Sequence, residues 1–207
     1  MFYQTATRTS TATANIPSVI FITSGNGYTI SNNIIGGSNT SGGGTPWTFN
    51  GAFSNRFVGI NVASAVGAAT TIQNNTITNL SISTTSGAST GNGIFCGISA
   101  NGAGTFNIGN VTGNTIGATS GVGSITTTAS TTAALTVGIN VTCTGSTTLS
   151  NNSIGSITAN GSAVTVSASI TGIQITAGTP IVTNNVIGST TTANSINSAT
   201  VSTTGTN

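Results

Sequence analysis

Very few side chains of this 207-residue chain can do chemistry. Arg8 and Arg56 are the only cations, Cys96 and Cys143 the only thiols and Trp47 the only indole, and there is no Asp, Glu, His or Lys. Glycoside hydrolysis needs paired carboxylates, and proton abstraction needs a base or a carboxylate-held metal. Neither can be assembled from this inventory. A Ser or Thr nucleophile lacks a His or Lys activator, and a hard cation meets only neutral oxygens. The composition therefore argues against an enzyme and against any cofactor or metal. Two arginines cannot neutralise a phosphate backbone, so nucleic acid is not an expected partner. No run of about 20 apolar residues is present to insert into a membrane.

What remains as a candidate binding patch is the aromatic stretch T-P-W-T-F-N-G-A-F-S-N-R-F at 45–57, which groups Trp47, Phe49, Phe53 and Arg56. An exposed Trp beside Asn and Arg can stack on a sugar face, whereas the plainer reading is a loop that buries its own rings against one flank of the molecule. The cysteines read as buried free thiols. Cys96 aligns with Val141 on one inward column, and Cys143 continues that alternation, so the two fall in separate coils beyond disulfide reach.

The elements that must position these residues announce themselves by repetition. T-I-S-N-N-I-I at 29–35 returns as T-I-Q-N-N-T-I at 71–77, V-T-G-N-T-I at 111–116, T-L-S-N-N-S-I at 148–154 and I-V-T-N-N-V-I at 181–187. The second Asn of each phrase, or its counterpart, is Asn33, Asn75, Asn114, Asn152 or Asn185, at spacings of 42, 39, 38 and 33. A Gly-Ile phrase alternates with it: G-I-N-V at 59–62, G-I-F-C at 93–96, G-I-N-V at 138–141 and G-I-Q-I at 172–175. Thr, Ile and Val dominate, with period-two alternation at Leu135, Val137, Ile139, Val141 and Cys143 and at Val164, Val166, Ala168 and Ile170. That is strand composition and strand period.

A repeat of 20 to 50 residues signals a solenoid. Splitting each repeat into two coils predicts roughly ten coils, a rod on the order of 45 Å long at a strand spacing of about 4.8 Å. Asn tolerates the left-handed backbone of a tight corner, and stacked corner amides can bond to one another as a ladder. Ile30, Ile72, Val111, Leu149 and Val182 should point inward before the corner, and Ile35, Ile77, Ile116, Ile154 and Ile187 after it. The stretches 83–93 and 126–134 read as loops. The outward residues of the Gly-Ile phrase read as Asn61, Phe95, Asn140 and Gln174, a mixed column.

These alternating phrases resemble the right-handed parallel β-helix repeats of large secreted bacterial surface proteins, over about residues 27 to 190. The resemblance implies an all-β fold, a single right-handed parallel β-helix with an Asn-rich corner ladder. It also implies an adhesin-like, extracellular or cell-surface setting. The organisation expected is an N-terminal extension or start of the first coil at 1–16, the β-helix at 17–190 and a Ser/Thr/Asn-rich end at 191–207. The function expected is a non-catalytic structural or adhesive rod, a stalk segment or a filament-forming subunit. End-to-end self-association is expected because the formal charge is only +2 and neither end carries a capping unit. Alternatives are ice binding by a Thr-rich face and glycan binding through the Trp47 loop.

Overall fold

In a computed structural model the chain is described over residues 1–10, 16–131, 133–161 and 168–200, and every regular element there is a β-strand. After β1 (Arg8–Ser10) the strands come in sets of four. The first set is β2 (Ser18–Ile22), β3 (Thr29–Ser31), β4 (Ile34–Ile35) and β5 (Trp47–Gly51); the second is β6 (Phe57–Ser64), β7 (Thr70–Gln73), β8 (Thr76–Ile77) and β9 (Leu80–Thr84). The third is β10 (Phe95–Gly102), β11 (Phe106–Ile108), β12 (Thr115–Gly117) and β13 (Ile125–Ala129). The fourth is β14 (Ala134–Val141), β15 (Ser146–Ser150), β16 (Ser153–Gly155) and β17 (Ile157–Gly161), and the fifth is β18 (Ala168–Ile175), β19 (Thr179–Thr183), β20 (Val186–Ile187) and β21 (Ile196–Thr200).

Each strand pairs, parallel, with its counterpart one set away, giving four sheets: β2-β6-β10-β14-β18, β3-β7-β11-β15-β19, β4-β8-β12-β16-β20 and β1-β5-β9-β13-β17-β21. Four parallel sheets stacked in this way form a solenoid-like arrangement compatible with a parallel β-helix. Successive Asn phrases pair directly, with Ile30 opposite Ile72 and Ile77 opposite Ile116. One repeat is therefore one coil and not two. The described residues make five coils after β1, where roughly ten were expected, and the stack is on the order of 24 Å long at about 4.8 Å per strand.

The second recurring phrase has a packing cause that its sequence alone conceals. A Cβ on Gly59 would lie 2.8 Å from Ile77 Cδ1, one on Gly97 2.8 Å from Ile116 Cδ1, one on Gly138 2.9 Å from Ile154 Cγ2 and one on Gly172 2.7 Å from Ile187 Cδ1. From the second coil onward, the Ile that follows each Asn corner thus crosses the interior and rests on the bare backbone of a Gly in the first sheet. Both phrases belong to one coil because they pack on each other.

Register in the first sheet corrects two expectations. Ile98 pairs with Ile60 and Ile139, so the third copy of the Gly-Ile phrase is Gly97-Ile98-Ser99-Ala100, not 93–96. Cys96 accordingly pairs with Val137 rather than aligning with Val141. The alternation also shifts face at the Gly: Ile139, Val141 and Cys143 join the main core, whereas Leu135 and Val137 form a separate cluster with Val58 and Cys96. Phe95 is fully buried, and Ser99 takes the place expected of it opposite Asn61 and Asn140.

The inward columns are Ile30, Ile72, Ile108 and Leu149 in the second sheet and Ile35, Ile77, Ile116 and Ile154 in the third, all buried. Val111 is 82% exposed, contrary to expectation. Between Ile108 and Asn114 the chain has an outward bulge begun by Gly109 at φ 77°, and Ile108 occupies the column instead. Val182 and Ile187 keep register with Leu149 and Ile154 but are 46% and 53% exposed, because no further described coil covers them. Within 83–93 and 126–134 the structure places the end of β9 and most of β13, whose inward side chains Thr84, Thr127 and Ala129 are small enough to resemble loop composition. Val164 and Val166 lie outside the described residues.

Candidate functional site

Three constellations stand out, two of them stacked polar corners and the third an aromatic group that lines a cavity. At the corner between the second and third sheets, successive Asn residues are joined in hydrogen-bonded pairs. Asn33 Nδ2 donates to Asn75 Oδ1 at 2.9 Å, Asn75 to Asn114 at 2.9 Å, Asn114 to Asn152 at 2.8 Å and Asn152 to Asn185 at 2.9 Å. The same Oδ1 atoms accept the backbone N–H of the preceding Asn at 3.0–3.1 Å. Each buried amide also donates back to a main-chain carbonyl, as Asn114 Nδ2 does to Ile72 O at 2.9 Å. The left-handed backbone, however, belongs to the first Asn of the phrase: Asn32, Asn74, Asn151 and Asn184 have φ of 60°, 49°, 61° and 55°. The phrase divides its labour, one Asn bending the chain and the next bonding across coils.

A second column escaped the sequence reading. At the corner between the third and fourth sheets the N–H of Asn79 donates to Ser124 Oγ at 3.2 Å, that of Ser124 to Ser156 Oγ at 3.0 Å and that of Ser156 to Ser195 Oγ at 2.9 Å. Its signal was available as the recurring Ser-Ile pairs 124–125, 156–157 and 195–196. They looked unremarkable among so many Ser and Thr residues.

The third constellation is the aromatic stretch. Trp47 and Phe49 are not on a loop: they lie in β5, paired with Leu80 and Ile82, and face inward at the first coil. Trp47 stacks on Phe49 at 5.5 Å between ring centroids and meets Phe57 edge-on at 5.8 Å, and Phe57 stacks on Phe95 at 5.9 Å. Phe53 stands apart, 39% exposed. Arg56 donates from Nη1 to Asn55 O and Ser86 O at 2.9 and 2.8 Å and from Nη2 to Gly87 O at 2.6 Å. Partial burial lowers its pKa by desolvation. Trp47, Phe49, Phe57 and Arg56 line a cavity of about 370 Å³ together with Arg8 and Asn55.

Both cysteines are free and buried. Desolvation raises the Cys96 thiol to about 12, with hydrogen bonds to the backbone opposing it only in part. Among the described residues no group of three or more His, Cys, Asp or Glu could hold a metal ion. No protein-family model, no curated protein and no solved structure matches this chain.

Proposed function

We infer that the chain is a non-catalytic structural or adhesive element, a right-handed parallel β-helix that serves outside the cell as a stalk segment of a surface protein or as a filament-forming subunit. The observation that supports this most is the regular stacking itself, in which every strand pairs in parallel with its counterpart one coil away through all four sheets. A right-handed winding is the one that parallel crossovers nearly always adopt. A solenoid extends by nearest-neighbour contacts alone, so further coils can be added without altering those already formed. Electron microscopy of the purified chain at rising concentration tests the reading. Filaments of single-stack width support a filament subunit, discrete short particles of uniform width support a stalk segment, and irregular aggregates count against both.

One observation favours ice binding as a second reading. In the fourth sheet Thr48, Ser81, Thr126 and Thr158 form one outward column in direct register, an uncharged hydroxyl row absent from the first sheet. Thermal hysteresis and ice recrystallisation assays would detect it, and a flat response in both would remove it.

A further inference from the structure

The cavity beside Trp47 collects the chain's unusual side chains. Arg8 and Arg56, its only cationic side chains, both line it, and there is no Asp or Glu anywhere to pair with them. Arg8 continues an inward column, since it pairs with Phe49 of β5. Two like charges around one cavity in an acid-free chain leave their counter-ion to come from outside. The floor is aromatic, with Trp47, Phe49 and Phe57, and Thr9, Ser18 and Asn55 complete the lining.

We propose that this cavity binds an acidic sugar, a uronic-acid residue whose carboxylate meets Arg8 and Arg56 and whose ring lies against the aromatic floor. A volume of about 370 Å³ holds one such ring, not an oligosaccharide. The polar side chains of Ser18 and Asn55 in the lining favour a hydroxyl-bearing sugar over an aromatic acid. Arg56 is held in place by its bonds to Asn55, Ser86 and Gly87 and serves as the fixed wall. Arg8, on the short strand β1, is the adjustable contact.

The proposal rests on the adhesive reading for its purpose, and its test is separate from that reading. Because Trp47 is the only tryptophan, its fluorescence reports the cavity alone. The full chain is titrated with sodium glucuronate, with glucose and sodium sulfate as controls at constant ionic strength. The expected result is a saturable change with glucuronate, none with glucose, and at least tenfold weaker binding of sulfate. Arg8→Gln, checked for an unchanged melting temperature, should weaken glucuronate binding about tenfold, the loss of one charge-assisted hydrogen bond. No saturable change with glucuronate, an equal response to sulfate, or unaltered binding by Arg8→Gln would each overturn the proposal. Uniform rods that bind no glucuronate would sink the site alone, and glucuronate binding by a chain that aggregates irregularly would sink the structural reading alone.

Discussion

Replacing Asn152 by Ala should be among the costliest single changes available in this chain. Asn152 is fully buried; its Nδ2 donates to Ile108 O at 3.0 Å, Ser150 O at 3.1 Å and Asn185 Oδ1 at 2.9 Å. Its Oδ1 accepts from Asn114 N at 3.0 Å and Asn114 Nδ2 at 2.8 Å. Ala removes all five bonds at once. Asn114 Nδ2 keeps its bond to Ile72 O, but Asn114 N and Ile108 O lose these partners in the interior. At about 1–3 kcal/mol for each buried orphan, the expected loss is about 4 kcal/mol, against a typical total stability of about 5–15 kcal/mol. The matched control is Asn185→Ala at the uncovered coil, where water replaces the lost bonds and the cost should stay below about 1 kcal/mol. Urea unfolding with unchanged m-values measures both, and hydrogen exchange of the Asn114 amide locates the damage. A cost for Asn152→Ala below about 1 kcal/mol, or equal to that for Asn185→Ala, would refute the reasoning.

Gly97→Ala should destabilise the chain by about 1–3 kcal/mol through overpacking, because the new Cβ would meet Gly138 O at 2.7 Å and Ile116 Cδ1 at 2.8 Å, whereas alanine at Gly43, where the nearest atom is Asn39 Nδ2 at 3.3 Å, should cost less than Gly97→Ala in the same melt. With no Asp, Glu or His, the melting temperature should vary by no more than about 2 °C between pH 4 and pH 8. Above pH 9 it should fall, since the Cys96 thiol is raised from 9.0 to about 12 on folding: the thiol's contribution is complete below 9 and is lost as the pH climbs towards 12. Cys96→Ala should flatten that alkaline limb relative to the parent, and an equally steep fall in the variant would show that another group causes it.

Strand character and the Asn phrase were legible because both are local: period two, β-branched residues and a pair of Asn at each corner. The number of coils was not, because spacing alone cannot say whether a repeat of about 40 residues closes once or twice. That depends on the four-sided perimeter, which is set by Ile77, Ile116 and Ile154 packing on Gly59, Gly97 and Gly138 across the interior. The third Gly-Ile phrase was misplaced by four residues because Gly93-Ile94 and Gly97-Ile98 look alike, and only pairing of Ile98 with Ile60 and Ile139 separates them. Val111 misled for a similar reason: it occupies the expected place before the Asn corner, but a bulge after Ile108 carries it outside. At the cavity, Trp47, Phe49 and Arg56 were visible as a cluster, whereas Arg8 lies 39 residues before Trp47 and joins them only through the pairing of β1 with β5.

The claim that one repeat makes one coil is tested most directly by a distance between two outward positions of the second sheet. Thr29, Thr71, Asn107, Thr148 and Ile181 form one continuous column by pairing. Spin labels on Thr29→Cys and Ile181→Cys, with native Cys96 and Cys143 buried and unlabelled, span four strand spacings. Pulsed electron resonance should then give about 19 Å between label sites, broadened by the linkers. A distance near about 38 Å, as two coils per repeat would require, would contradict the fold on which the rest depends.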